Sequence, residues 1–233
     1  MTTQPASPLA TALAGIRVLL LDFDGPVCDV FAGRPAAAIA DQLRDLLISS
    51  GAPRHEVQDD DDPLSLYARS AAYGPEVVAA TYTALVNAER EAVTSAVPTP
   101  GAIETVVAAR ETGRHVAIVS NNAADAVLDY LNRHGLSPMV SHVAARRTPD
   151  PNLMKPNPRY LHEAIDVLGT EPQACAIVGD SVTDIEAATR ANTRAIGYAN
   201  KPGKKARLAN AGSNAVIESM AELPPALSAT APH

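Results

Sequence analysis

The chain contains no tryptophan, two phenylalanines and two cysteines among 233 residues. With aromatics at 3% and apolar residues at 46%, its interior must be built from Ala, Val, Leu and Ile, a globular rather than disordered composition. Cys28 and Cys175 are too few for a disulfide framework and show no C-x-x-C spacing. Both read as small apolar fillers in a reducing compartment, the cytoplasm. The six histidines form no H-E-x-x-H or paired spacing, so any metal is expected to be a hard ion bound by oxygen. Lysine occurs only at 155, 201, 204 and 205, and the net charge is −7. No basic stripe is available to follow a nucleic-acid backbone. Residues 1–15 carry neither Lys nor Arg and no sustained apolar run, unlike a signal peptide or a spanning helix. Neither nucleic acid nor a membrane is expected as a partner.

What is present is a rhythm of apolar runs and helical stretches. Runs at 16–21, 115–119, 174–178 and 194–198, with weaker ones at 139–144 and 214–217, alternate with segments punctuated as helices. Thr99-Pro100 opens one that Gly113 closes, and Asn157-Pro158 opens another that Gly169 closes. Such alternation predicts an α/β fold, a Rossmann-like parallel sheet with helices on both faces. The 73 residues from 25 to 97 break the rhythm, because βα loops usually run about 2–6 residues. Helical patterns over 35–50, 63–73 and 75–96 make this gap a small inserted α-helical cap. The expected division is a tail over 1–15, a core over 16–30 and 97–225, a cap over 31–96 and a second tail over 226–233. Asp59 to Asp62 read as a solvated loop, and Arg34, Arg54, His55 and Arg69 of the insertion are given no role.

The chemistry concentrates at strand ends. The first run ends in Asp22-Phe23-Asp24-Gly25, two carboxylates where a buried strand surfaces, and ligands of open α/β sheets bind beyond such ends. Ser120-Asn121 follows the second run and precedes a helix over about 123–134, offering a hydroxyl, an amide and a helix N-terminus to phosphate oxygens. Lys155 stands between prolines on a rigid loop, where its ammonium can offset anionic charge. Gly179-Asp180-Ser181-Val182-Thr183-Asp184 places carboxylates at i and i+4 on one face of a helix start. Each segment alone has an ordinary turn, cap or surface explanation; four in this order do not.

These four segments resemble the motifs of the haloacid dehalogenase superfamily, over roughly 16–200, and the insertion resembles the helical cap of the subgroup containing phosphoglycolate phosphatases and β-phosphoglucomutases. Having both Asp22 and Asp24 resembles the phosphate-handling members. The resemblance implies a Mg²⁺-dependent phosphatase acting on a small phosphorylated metabolite, as a monomer or homodimer. It assigns Asp22 as the nucleophile that forms an aspartyl-phosphate, Asp24 as general acid and base, and Ser120, Asn121 and Lys155 as phosphate ligands. The metal falls to Asp22, Asp24 through its backbone carbonyl, and Asp180, with Asp184 behind them. Mg²⁺ would offset the repulsion of carboxylates only a few Å apart. One position departs from the pattern: Pro26 stands where the family usually has Thr, and it supplies neither a hydroxyl nor an N–H.

Three alternatives share parts of this pattern. A phosphomutase of a sugar phosphate would use the same four segments. A receiver-type phosphoaspartate module also combines acids, a hydroxyl and a lysine, but its acceptor Asp ends an interior strand and it has no insertion. A non-catalytic phosphate-binding protein on the same scaffold is favoured only by Pro26.

Overall fold

A computed structural model describes residues 6–231, so the first five and last two positions of the expected tails lie outside the described residues. The stretch read as an N-terminal tail instead holds a helix, Pro8–Leu13 (α1), capped by the Ser7 side chain, with Ala12 and Leu13 buried. Val18–Leu21 (β1) follows and is buried along its whole length. Beyond it, Cys28–Asp29 (β2) pairs antiparallel with Val97–Pro98 (β3). The inserted segment therefore leaves and re-enters through one short ribbon.

The main sheet adds His115–Ala123 (β4), His142–Arg146 (β5), Cys175–Gly179 (β6), Arg194–Tyr198 (β7) and Ala215–Ile217 (β8). All pairings are parallel, in the order β5-β4-β1-β6-β7-β8. The chain moves outward from β1 through β4 to β5, then returns to β6 on the other side. This reversal at β1 is the topological switch point at which open α/β sheets bind ligands. Leu21 is in register with Ile118 and Val178, so the residues after β1, β4 and β6 emerge at one edge.

Alternation along β1 divides the core. Leu19 and Leu21 face a layer containing α1, Ala102–Glu111 (α6), Ala124–Arg133 (α7) and Leu223–Ala229 (α11), whereas Val18 and Leu20 face Arg159–Val167 (α8), Val182–Ala191 (α9) and Lys204–Asn210 (α10). Each fully buried Leu contributes about 1.5–3 kcal/mol. Residues 226–229, expected to lie in a tail, belong to α11, and the fully buried Arg114 donates from Nη1 to Leu227 O at 2.9 Å and from Nε to Ile16 O at 3.2 Å. With Arg194 Nη1 donating to Ala12 O at 3.1 Å, a short helix at each end of the described chain is fixed by a partner distant in sequence.

The insertion folds as Ala36–Ser49 (α2), Arg54–Val57 (α3), Pro63–Arg69 (α4) with a 3-10 turn at Ser70–Tyr73, and Pro75–Ala92 (α5). Ile39, Leu43 and Leu47 lie on one face of α2 and bury against Leu66, Tyr67, Val78 and Leu85 in a cluster separate from the sheet's two layers. No helix among the described residues is long and apolar enough to cross a membrane.

Candidate active site

Asp22 leaves β1 with its N–H still bonded to Val178 O at 2.9 Å, and the Phe23 N–H donates to its Oδ1 at 2.8 Å. The strand pairing therefore fixes the first carboxylate before any ligand arrives. Asp24 lies on the turn, with its Oδ1 accepting from the Val30 N–H at 3.0 Å. Gly25 closes that turn at φ +100°, and a Cβ built there would lie 2.7 Å from Asp180 Cγ. Glycine is required for the backbone and for the close approach of Asp180. Gly25→Ala is expected to destabilise the fold by about 1–2 kcal/mol for the backbone alone and to displace Asp180. A melting curve with and without Mg²⁺ checks both, and a fully retained Mg²⁺ response would show that Asp180 had not moved.

Asp180 and Asp184 come from the end of β6. Asp180 precedes α9 rather than sharing its first turn, because Ser181 is the N-cap. Asp184 forms a capping box with Ser181: its Oδ2 accepts from Ser181 N at 3.0 Å and Ser181 Oγ at 2.7 Å. A Cβ on Gly179 would collide with the Asp184 side chain at 2.3 Å, so that glycine too is demanded by packing. The cap orients Asp184 inward, and one oxygen from each of Asp22, Asp180 and Asp184 lies within 4.8 Å of the others. Three hard oxygens at this separation are a donor set that fits Mg²⁺.

Lys155 enters the cluster from the loop before α8. Its Nζ is 2.7 Å from Asp22 Oδ1, 2.6 Å from Asp184 Oδ1, and donates to Val119 O at 3.0 Å. Burial disfavours its charge, but Asp184 and Asp22 outweigh burial and hold the ammonium above its ordinary range. Asn121 positions this loop: its Oδ1 accepts from Lys155 N at 2.7 Å, and its Nδ2 donates to Lys155 O at 3.3 Å. Asn121 lines the cleft beside Asn122, whereas Ser120 is fully buried beneath it. The Ser120 hydroxyl donates to Asn122 Oδ1 at 3.0 Å and accepts from Asn122 N at 3.1 Å. The register of β4 against β5 shifts between Ser120 and Ala123, an irregularity of the kind that re-aims side chains beside active sites.

Burial, with Asp184 adding to it, pushes Asp22 up to about 8, against the pull of Lys155. Burial likewise pushes Asp24 up to about 6. Between an ordinary 3.8 and about 8, folded Asp22 holds a proton that the unfolded chain has released, so stability falls as pH rises through that window. In chelator, Tm is expected to be lower near about pH 8 than near about pH 5, with Mg²⁺ narrowing the gap by binding the ionised form. A Tm that rises over this range in chelator would contradict the assignment.

Two contacts were not foreseen. Thr99 Oγ1, beyond β3, donates to Gly25 O at 2.5 Å, bringing a hydroxyl to the turn in which Pro26 supplies none. Glu89, fully buried on α5, accepts from Arg146 Nη2 at 2.5 Å, Ala123 N at 2.9 Å and Asn122 Nδ2 at 3.1 Å. Arg146 also donates to Asn121 O at 2.9 Å and stacks on Tyr67 and Tyr82. The insertion is thereby tied through one buried ion pair to the loop that steadies Lys155. No periodicity marks this pair, since its members lie 57 residues apart.

Known proteins resemble this chain in sequence and in fold. The chain is 33% identical over 100 residues to a phosphoglycolate phosphatase of Aquifex aeolicus, covering 42% of this chain and 45% of that protein. It spans about half the length of the curated relatives it matches. A HAD family hydrolase from Deinococcus radiodurans R1, solved with bound phosphate and sodium, has a TM-score of 0.60 and 26% identity over 93% of this chain and 97% of that one. CbbY from Rhodobacter sphaeroides, solved with phosphate, shares the fold with a TM-score of 0.64 and 17% identity over 89% of this chain and 96% of that one. The model of the haloacid dehalogenase-like hydrolases matches residues 16–192, a span that contains β1, β4 and β6 and every carboxylate gathered at their ends, and this chain belongs to that family.

Proposed function

We propose that this protein is a Mg²⁺-dependent phosphatase of a small phosphorylated metabolite. The observation that carries the reading is the different environment of two neighbouring carboxylates. Asp22 sits within the triangle of acidic oxygens and against Lys155, whereas Asp24 lies outside that triangle, near neutral pKa, on the same cleft. This difference supports Asp22 as the attacking group and Asp24 as the one that handles protons.

Of the acidic triangle, Asp22 and Asp180, with the Asp24 carbonyl, would hold Mg²⁺, and Asp184, whose oxygens are engaged by Ser181 and Lys155, would stand behind them; when bound the ion would neutralise the crowded carboxylates and polarise the phosphoryl oxygens. Asp22 forms a bond to phosphorus as the bond to the leaving alcohol breaks, and that alcohol takes the proton from Asp24. Asp24 then removes a proton from the water that cleaves the aspartyl-phosphate. Lys155, Asn121 and the backbone around Ser120 offset charge on the phosphoryl group, so catalysis rests on positioning and electrostatics. The helices of residues 31–96 act as a cap that limits water and selects the leaving group, and two buried free thiols suit a cytoplasmic setting.

Phosphate release from an aryl phosphate is expected to fall to background in excess EDTA and to return with Mg²⁺. Full activity in EDTA would rule out the metal role. Conversion of a sugar phosphate to its isomer without free phosphate would replace the phosphatase with a mutase.

A further inference from the structure

The insertion brings Asp62, Leu64, Ser65 and Ala68 to the wall of the cleft opposite the catalytic carboxylates. Its cations are directed elsewhere. Arg34 pairs with Glu91, Arg44 with Asp41 and Asp61, and Arg69 with Asp60. Arg54 and His55 on α3 and Arg90 on α5 are exposed and do not line the cleft. Asp62 stands at the mouth, also lining the adjoining cleft with Asp29 and Asp61, where Lys201 is the basic residue among those described. Of the site's remaining lysines, Lys155 is committed to Asp22 and Asp184, and Lys204 lies 2.5 Å from Asp180. The committed positive charge therefore gathers where the phosphate would sit, and along the wall supplied by the insertion the leaving group meets Leu64, Ser65, Ala68 and the Asp62 carboxylate, with Lys201 on the far side of the adjoining cleft beside Asp24.

We infer that this site selects phosphate monoesters whose leaving alcohol carries no negative charge, with Asp62 accepting from a hydroxyl or ammonium on that alcohol and repelling a carboxylate. The inference rests on the phosphatase reading and adds the chemical class of the substrate. Opposite charge attracts and like charge repels across a cleft, and discrimination of this kind commonly uses a repulsive element.

The test compares three esters of nearly equal size, namely phosphoethanolamine, 2-hydroxyethyl phosphate and phosphoglycolate, with p-nitrophenyl phosphate as the control for hydrolysis itself. The kcat/KM for the first two is expected to exceed that for phosphoglycolate by at least about tenfold, equivalent to about 1.4 kcal/mol. Asp62→Asn retains the helix-capping acceptor, whose bond from Leu64 N is 3.0 Å, and should narrow that ratio by raising phosphoglycolate and lowering phosphoethanolamine. Phosphoglycolate turned over as well as the other two, or a ratio unmoved by Asp62→Asn, overturns the inference while p-nitrophenyl phosphate hydrolysis preserves the phosphatase reading. Failure to hydrolyse any of the four overturns both.

Discussion

Asp22→Asn is expected to abolish turnover, by roughly 10⁴-fold or more on the scale of lost nucleophiles, in a protein that still folds. An amide has nearly the shape of the carboxylate and keeps an oxygen for the Phe23 N–H, now bonded at 2.8 Å. Lys155 retains Asp184 at 2.6 Å and the Val119 carbonyl at 3.0 Å, so its buried charge is not abandoned. Burial already disfavours the charged form of Asp22, so a neutral amide of the same shape suits its surroundings. What disappears is the nucleophile, because an amide oxygen attacks phosphorus poorly. Asp24→Asn should behave differently. Loss of a general acid costs about 10²–10⁴-fold, and an aryl leaving group that needs little protonation should recover much of that loss. Rates on alkyl and aryl phosphates for both variants, with unchanged circular dichroism, separate the roles. Hydrolysis of the aryl ester by Asp22→Asn at the parent rate would remove Asp22 as nucleophile.

The sequence disclosed what periodicity and local punctuation encode. Val18 to Leu21, 115–119 and 174–178 are apolar runs bounded by polar ends, and a parallel sheet places such ends side by side, so Asp22, Ser120-Asn121 and Asp180 are legible as neighbours, whereas Lys155 lies on a loop and joins them only through the motif resemblance. Asp184 was visible as an acid in a first helical turn, but its capping box with Ser181 depends on the turn starting after Asp180 rather than at it. The helices at 8–13 and 223–229 escaped notice because each is short and is fixed by tertiary contacts: α1 by its buried Ala12 and Leu13, α11 by Arg114 from the start of β4. The motif resemblance makes Ser120 a phosphate ligand, whereas its hydroxyl is engaged by Asn122, a partner two residues on. Asp62 looked like part of a solvated acidic loop, since nothing in a run of four aspartates says which one the fold turns toward the cleft.

Glu89 carries the largest expected stability effect. Its carboxylate is fully buried and accepts three hydrogen bonds, from Arg146, Ala123 N and Asn122. Arg146 is itself 1% exposed. Removing one member of a buried pair leaves the other charged and unsolvated, at a cost of about 3–5 kcal/mol. Glu89→Ala should therefore lower Tm by about 10 °C, at about 2–4 °C per kcal/mol for a chain of this size. Replacing both partners with apolar residues, Glu89→Leu with Arg146→Met, removes the stranded charge and keeps volume against Tyr67 and Tyr82, so part of the loss should return. It should not return completely. Ala123 N and Asn122 Nδ2 would still lack an acceptor, which costs about 1–3 kcal/mol for a buried donor. Since those donors adjoin Asn121, which fixes the backbone of Lys155 at 2.7 Å, the double variant should remain impaired in kcat even where its melting has recovered. Calorimetry of the two single variants and the double variant measures the coupling directly. A Glu89→Ala protein melting within about a degree of the parent would show that this pair does not hold the insertion to the sheet.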